Sequence, residues 1–247
     1  MVERGRAGRT PMPRSCNPRP FPVSPPIPTP LHDSNATPPP VPLAERSAVW
    51  DARFGSEVYT YGTRPNSFIA QEAPRFPEGA EVADLGAGEG RNAVFLAERG
   101  CRVTAIDYAE AGLDKTRALA AERGVDLATE RADLAYWTPS QQWDGLVCTF
   151  LHLRLGERVR LYTAMQAALR PGGLLVAEWF RPEQRKDGYT SGGPPTLDLM
   201  VKPRELRQHF IWGDILQCEA AEVTLNEGPF HQGPAATVRF IFQKGNF

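Results

Sequence analysis

Three features of the sequence predict an α/β fold, a mostly parallel sheet with helices on both faces. Between Glu81 and Phe180, short β-rich runs alternate with amphipathic helical stretches, the pattern of repeated strand–helix units. The first strand ends in a glycine-rich turn that opens a helix. The last two strand-like runs have no helix between them, so they should pair antiparallel as a hairpin on the sheet edge.

The front of the chain stands apart. Thirteen of the 24 prolines fall in the first 43 of 247 residues, with five arginines, Glu3 and Asp33 as the only charges. Proline donates no ladder hydrogen bond and pushes its preceding neighbour toward extended backbone, so residues 1–43 are expected to be a disordered, proline-rich extension. The extension carries +3 against −1 for the whole chain, which leaves −4 on residues 44–247. Those residues suffice for one domain of roughly 200 residues with a full core. Two helical pieces come first, about Leu43–Phe54 and Pro65–Phe76, flanking the aromatic loop Tyr59-Thr60-Tyr61-Gly62. Residues of about 44–78 would thus form a cap ahead of the first strand.

The remaining elements follow in order. Glu81–Gly86 reads as the first strand, and Asn92–Arg99 as a helix closed by Gly100. Cys101–Asp107 is the second strand, and Ala111–Arg123 a helix stopped by Gly124. Val125–Arg131 is a weaker third strand and Trp143–Phe150 a fourth. The next helix places Leu155, Val159, Tyr162, Met165 and Leu169 on one face. Pro171-Gly172-Gly173 breaks it before a fifth strand, Gly173–Phe180. A short helix over Pro203–Phe210 precedes the two hairpin strands, Leu216–Leu225 and Ala235–Gln243.

Composition excludes several classes. No apolar run approaches the ~20 residues that span a bilayer, and the first residues lack the apolar core of a secretory signal. The arginine-rich, acid-poor front resembles a transit peptide in charge, but its prolines oppose an amphipathic helix. Cys16, Cys101, Cys148 and Cys218 form no metal-ligand spacing, so reduced thiols in the cytoplasm and no metal are expected. A mildly acidic body offers no basic footprint for nucleic acid. Monomer and homodimer both remain open.

The strongest local signal is Asp84-Leu85-Gly86-Ala87-Gly88-Glu89-Gly90-Arg91-Asn92. A dinucleotide fingerprint would need its third glycine where Arg91 stands, and no Gly-Lys-Ser/Thr of a P-loop follows. A G-x-G-x-G turn with an acid two residues before it suits a ligand with a cationic amino group rather than a pyrophosphate. Asp107 ends the second strand, where an acid can accept both ribose hydroxyls, and Asp133 follows the third, where it could meet an adenine amino group. Each could instead merely cap a helix or solvate a loop.

An amino acid, a ribose and an adenine in one crevice describe S-adenosylmethionine. On these residues, from about Trp50 to Lys244, the sequence resembles class I S-adenosylmethionine-dependent methyltransferases. Leu169-Arg170-Pro171-Gly172-Gly173 looks like the turn before that family's fifth strand. The resemblance implies a Rossmann-like, seven-stranded sheet of order 3-2-1-4-5-7-6 with strand 7 antiparallel. It also implies a cofactor-binding set of Asp84, Gly86, Ala87, Gly88, Gly90, Asn92, Asp107, Tyr108, Asp133, Leu134 and Thr149. Trp50-Asp51-Ala52-Arg53-Phe54, Tyr59-Thr60-Tyr61-Gly62, Pro65-Asn66-Ser67-Phe68, Ser191-Gly192-Gly193-Pro194 and Glu227-Gly228 with His231-Gln232-Gly233 resemble the tellurite-resistance and thiopurine-type small-molecule subgroup. That points to transfer of a methyl group by in-line displacement to a small acceptor, a thiol or a tellurium or selenium oxyanion.

A soft anionic nucleophile needs no base at neutral pH, whereas an alcohol or phenol does. His152, just after the fourth strand, and His231, in the hairpin connection, are the candidate bases. Each could instead be a structural histidine. Tyr61 and Arg64 of the cap are candidates to face the sulfonium and to hold an anionic acceptor, respectively. The stretch Cys148-Thr149-Phe150-Leu151 lacks the Asp/Asn-Pro-Pro-aromatic run of enzymes that methylate DNA or protein amides. The alternatives are a small-molecule O-methyltransferase with His152 as general base, or a non-catalytic cofactor-binding module. Glu178, inside an apolar strand, must be paired or protonated, facing the pocket or meeting Arg181 or a neighbouring backbone group.

Overall fold

The computed structural model describes Met1 and residues 43–246. Apart from its two ends, the proline-rich stretch lies outside the described residues, as do Cys16 and His32. Two helices precede the sheet. Helix α1 spans Leu43–Phe54 and α2 spans Ser67–Glu72, which runs into a 3₁₀ turn over Ala73–Arg75. Asn66 caps α2 by accepting the Phe68 and Ile69 N–H groups.

The core then alternates as the sequence predicts: β1 (Glu81–Leu85), α3 (Arg91–Glu98), β2 (Arg102–Asp107), α4 (Glu110–Arg123), β3 (Ala128–Arg131), β4 (Trp143–Thr149), α5 (Leu155–Ala168) and β5 (Leu169–Phe180). After it come α6 (Glu183–Lys186), a 3₁₀ turn at Leu197–Leu199, α7 (Pro203–His209), β6 (Gly213–Asn226) and β7 (Gln232–Lys244). The strand order is β3-β2-β1-β4-β5-β7-β6. β1 to β5 pair parallel, and β7 runs antiparallel to both β5 and β6. This is the seven-stranded arrangement expected.

Successive strand residues point to opposite faces, so each central strand feeds two cores. Leu146, Cys148, Leu175, Ala177 and Trp179 pack with Leu161, Tyr162 and Met165 of α5 and Leu206 of α7. Val82, Val147, Val176 and Ile241 pack on the other side with Phe68 and Ile69 of α2 and Leu96 of α3.

Three expectations shift. The third strand starts at Ala128 rather than Val125, because the Val125 N–H is still bonded to the Ala120 carbonyl at the end of α4. The buried face of α5 is turned from the one expected: Leu155 is 52% exposed, whereas Arg158 is buried. Leu169 has left the helix and pairs with Trp143 as the first residue of β5. Pro171 explains the early exit, since it drives the residue before it out of the helical region. Arg158 tolerates burial because its guanidinium meets both oxygens of Glu205, at 2.8 and 3.1 Å, and the carbonyls of Leu153 and Asp198. The Tyr162 hydroxyl also donates to Glu205.

Candidate active site

A crevice of about 890 Å³ opens beyond the carboxyl ends of β1, β2 and β4, under α1 and the loop that follows it. This is where open α/β sheets bind ligands. Its floor is the glycine turn between β1 and α3. The Gly86 and Ala87 N–H groups both reach the Ile106 carbonyl, at 2.8 and 3.1 Å, which ties the turn to β2. Gly90 sits at φ +86°, and a Cβ there would lie 2.6 Å from the Thr116 side chain of α4. Its missing side chain thus serves loop-to-helix packing, and Gly90 does not line the crevice.

Three carboxylates frame the donor end, each in a different state. Asp84 is 1% exposed and neither of its oxygens has a hydrogen-bond partner. Burial pushes its pKa up to about 7, the nearby Arg91 charge opposes the rise, and Asp107 adds to it. Asp107 accepts the Gly88 and Ala109 N–H groups, each at 2.9 Å, and burial still raises it to about 6. Asp107 and Tyr108 line the crevice with Ala132, Asp133 and Leu134. Asp133 is engaged from two sides: one oxygen accepts the Ala135 N–H at 3.0 Å, and the other meets Arg46 of α1 at 3.1 Å.

These residues fit the nucleoside with an amino-acid arm that the sequence implies. An unpaired buried carboxylate beside the glycine turn is the complement of an ammonium group. Asp107 uses one oxygen on the Gly88 N–H and one on Ala109, yet each oxygen keeps lone-pair capacity for a hydroxyl.

The other end of the crevice is built from rings. Their centroids close a circuit: Trp50 to Tyr61 6.4 Å, Tyr61 to His231 4.5 Å, His231 to Phe180 5.5 Å, Phe180 to His152 6.1 Å, and His152 to Trp50 6.5 Å. Phe150 lies within 4.7 Å of His231 and 4.6 Å of Phe180. It is the one non-glycine described residue at positive φ, +52°, a strained conformation that recurs at functional sites.

The two histidines differ. His152 has no hydrogen-bond partner among the described residues, and burial, then the His231 and arginine charges, push its pKa down to about 3. His231 is 4% exposed, with Nδ1 3.5 Å from Glu227 Oε2, close enough to feel the charge but without a hydrogen bond. Burial lowers its pKa, the Glu227 carboxylate opposes the fall, and Arg91 assists it. The edge of its ring rests against Gly192, where a Cβ would come within 2.7 Å of Cδ2 at φ +126°. The Gly-Gly of residues 192–193 thereby acquires a steric reason.

Most sequence candidates therefore meet in one crevice. Gly86, Ala87, Gly88, Asn92, Asp107, Tyr108, Asp133, Leu134, Thr149, Tyr61, His152 and His231 all line it. Asp84 lies just behind the turn. Arg64 does not line it: it is exposed, donates to the Asn226 carbonyl at 3.3 Å, and lines an adjoining cavity that shares Tyr61 and Gly62 with the crevice. Glu178 faces neither the crevice nor Arg181. It is fully buried and accepts from Asn66, Thr237 and Arg239 at 2.7, 2.9 and 2.9 Å. Sequence reasoning missed Arg46, the role of Asn66, and the pair Arg91–Glu227, joined at 2.7 Å across 136 residues. The arginine in place of a third glycine was the one local signal for that pair.

Among the described residues no helix is long and apolar enough to cross a membrane, and no side-chain group is arranged to hold a metal ion.

Fold and crevice together define a Rossmann-like, class I methyltransferase architecture. The chain matches, over residues 82–173, the family model described as a methyltransferase domain. It is 28% identical over 185 residues to hemagglutinin 1 of Eikenella corrodens, covering 73% of this chain and 59% of that protein. Over 128 residues it is 34% identical to trans-aconitate 2-methyltransferase of Variovorax paradoxus, covering 51% of this chain and 47% of that one. The chain thus spans about half to three-fifths of the length of these relatives. Its fold also matches TehB from Haemophilus influenzae, with a TM-score of 0.59 at 15% identity, over 81% of this chain and 67% of that one.

Proposed function

We propose that this chain transfers a methyl group from S-adenosylmethionine to a small neutral thiol. The observation that supports it is one crevice with Asp107 at the donor end, the buried, unpaired Asp84 just behind its glycine floor, and a circuit of uncharged rings at the acceptor end. The cofactor supplies a methyl group on a sulfonium, already activated for displacement.

In this reading Asp84 receives the cofactor's ammonium group and Asp107 its ribose hydroxyls, while Tyr108 and Leu134 flank the base. Trp50 and Tyr61 turn electron-rich faces toward positive charge, an attraction of about 0.5–2 kcal/mol. A thiol must lose its proton as it attacks. In this reading His231 takes it on Nε2, with the Glu227 carboxylate, 3.5 Å from Nδ1, favouring the Nδ1–H tautomer. The remaining gain is alignment, which can supply about 7–11 kcal/mol.

A thiol is favoured over a tellurium or selenium oxyanion by charge. Arg91 is the single cation lining the crevice among the described residues, and Glu227 already neutralises it. The alternative with His152 as general base finds little support, because a conjugate acid of pKa about 3 holds an abstracted proton poorly at neutral pH. In that reading His152 serves as a wall. A purely cofactor-binding module would leave the His231–Glu227 pair without a task. The buried, unpaired state of Cys101, Cys148 and Cys218 accords with a reducing cytoplasm.

The test is release of S-adenosylhomocysteine measured across neutral thiols, phenols, selenite and tellurite. Thiols should turn over best, and His231→Ala should lose roughly 100-fold or more in kcat while His152→Ala stays near wild type. Absence of any binding of S-adenosylhomocysteine by calorimetry would sink the reading. Oxyanions outpacing thiols would reverse the choice of acceptor.

A further inference from the structure

Asn66 uses every hydrogen-bonding position of its side chain and is fully buried. Its Oδ1 accepts the Phe68 and Ile69 N–H groups, each at 3.0 Å. Its Nδ2 donates one hydrogen to Glu178 Oε2 at 2.7 Å and the other to Glu227 Oε1 at 3.0 Å. Its backbone N–H donates to Asn92 Oδ1 at 2.9 Å, and Asn92 in turn donates to Thr149 at 3.0 Å. One residue thus joins the cap, β5, the β6–β7 hairpin, the start of α3 and the end of β4.

We propose that Asn66 is a positioning residue for methyl transfer: its amide fixes Glu227, and through Glu227 the imidazole of His231, at the acceptor end of the crevice. The proposal rests on the role given to His231 above. Chemistry narrows the choice of residue. Two carboxylates can share one neighbour only if it offers two donors and no negative charge, and a helix cap must accept at the same time. An amide does both. Aspartate would cap α2 but repel Glu178 and Glu227. Serine would cap it but leave both carboxylates without that donor.

Glu227 needs this hold because its other oxygen is bonded to Arg91, at 2.7 Å, and only approaches His231 Nδ1, at 3.5 Å, without forming a hydrogen bond to it. Without the Asn66 amide, Oε1 keeps only the long bond from the Ser67 N–H, at 3.4 Å, and the carboxylate can turn toward Arg91 and away from the imidazole. His231 would then lose the carboxylate whose nearness favours a proton on Nδ1.

Asn66→Ser in the full chain separates capping from bridging. We expect kcat with the preferred thiol to fall roughly 10- to 100-fold, as for a small misplacement of a reacting group. The calorimetric affinity for S-adenosylhomocysteine should hold, since Asp84 and Asp107 are untouched. Asn66→Asp should also raise the pH of the acid limb of kcat, because a third carboxylate steadies protonated His231. In the wild-type protein the imidazole nitrogen shifts should report the Nδ1–H tautomer. An Nε2–H tautomer overturns the proposal even where the variants do not fold. Wild-type kcat in Asn66→Ser, with His231→Ala impaired, sinks this inference alone. Normal turnover in His231→Ala removes the parent reading as well.

Discussion

Asp84→Asn should make the protein without cofactor more stable at high pH while weakening its grip on the cofactor. A pKa moved from 3.8 to about 7 means that the folded state holds the Asp84 proton more tightly than the unfolded chain does. Native stability is therefore greatest below the unfolded value and falls as pH rises toward 7, above which the full penalty applies. That penalty is about 4 kcal/mol. An asparagine amide in the same place is also unpaired, which costs about 1–3 kcal/mol. The difference leaves Asp84→Asn more stable by about 1–3 kcal/mol near pH 8 and level or worse near pH 5, where most of the penalty has gone. Urea unfolding of both proteins near the two pH values, without ligand, measures this directly. The wild type should lose about 3 kcal/mol more than the variant between them. Adding S-adenosylhomocysteine should stabilise the wild type and leave the variant almost unmoved. Parallel pH dependence in the two proteins would refute the argument, because it would show that folding leaves the Asp84 pKa unshifted.

Two further outcomes are expected. Gly90→Ala forces a side chain into left-handed backbone and against Thr116, so it should cost about 2–4 kcal/mol in thermal or chemical unfolding. Thr116→Ala in the same chain should return only part of the loss, since the retained Cβ of residue 116 would still lie 2.8 Å away, and full recovery would show that backbone strain is negligible there. Arg46→Ala removes partly buried bonds to Asp133 and Glu157, at 3.1 and 3.0 Å, that hold α1 over the crevice. Stopped-flow release of S-adenosylhomocysteine should speed up several-fold, and an unchanged off-rate would deny α1 any part in retaining the ligand.

The donor half of the site was legible because its signals are local. Asp84, the glycine turn and Asp107 lie within 24 residues, and each follows from where a strand ends in this architecture. Strand–helix alternation and a helix-free final pair likewise sufficed for a mostly parallel sheet with an antiparallel hairpin at its edge, while the strand order followed from the family resemblance. The misread elements share a cause in distant partners. Arg158 looks like a solvent-facing residue until Glu205 arrives from α7, and Leu155 looks like core for the same reason. Arg91 read as a departure from a dinucleotide pattern and as part of the subgroup resemblance, but not as a partner of Glu227, which is remote in sequence. Asn66 read as one residue of a cap motif, since neither of its carboxylate partners is near it in the chain.

The acceptor half follows a different logic. Three segments distant in sequence meet there: the cap loop with Tyr61, the β4 exit with Phe150 and His152, and the hairpin tip with His231. The Phe230 N–H reaches the Thr60 carbonyl at 3.4 Å, tying the first segment to the third. The Phe150 N–H reaches the Glu178 carbonyl at 2.8 Å, which helps hold a backbone conformation that costs about 1–3 kcal/mol. None of these residues is needed to build the sheet, whose core is supplied by the strand interiors and helix faces beneath. The rings can therefore be exchanged to suit another acceptor while the donor end keeps its geometry. The buried polar junction at Asn66, together with the Arg91–Glu227 pair, limits that freedom, since it couples the acceptor wall to the frame of the fold.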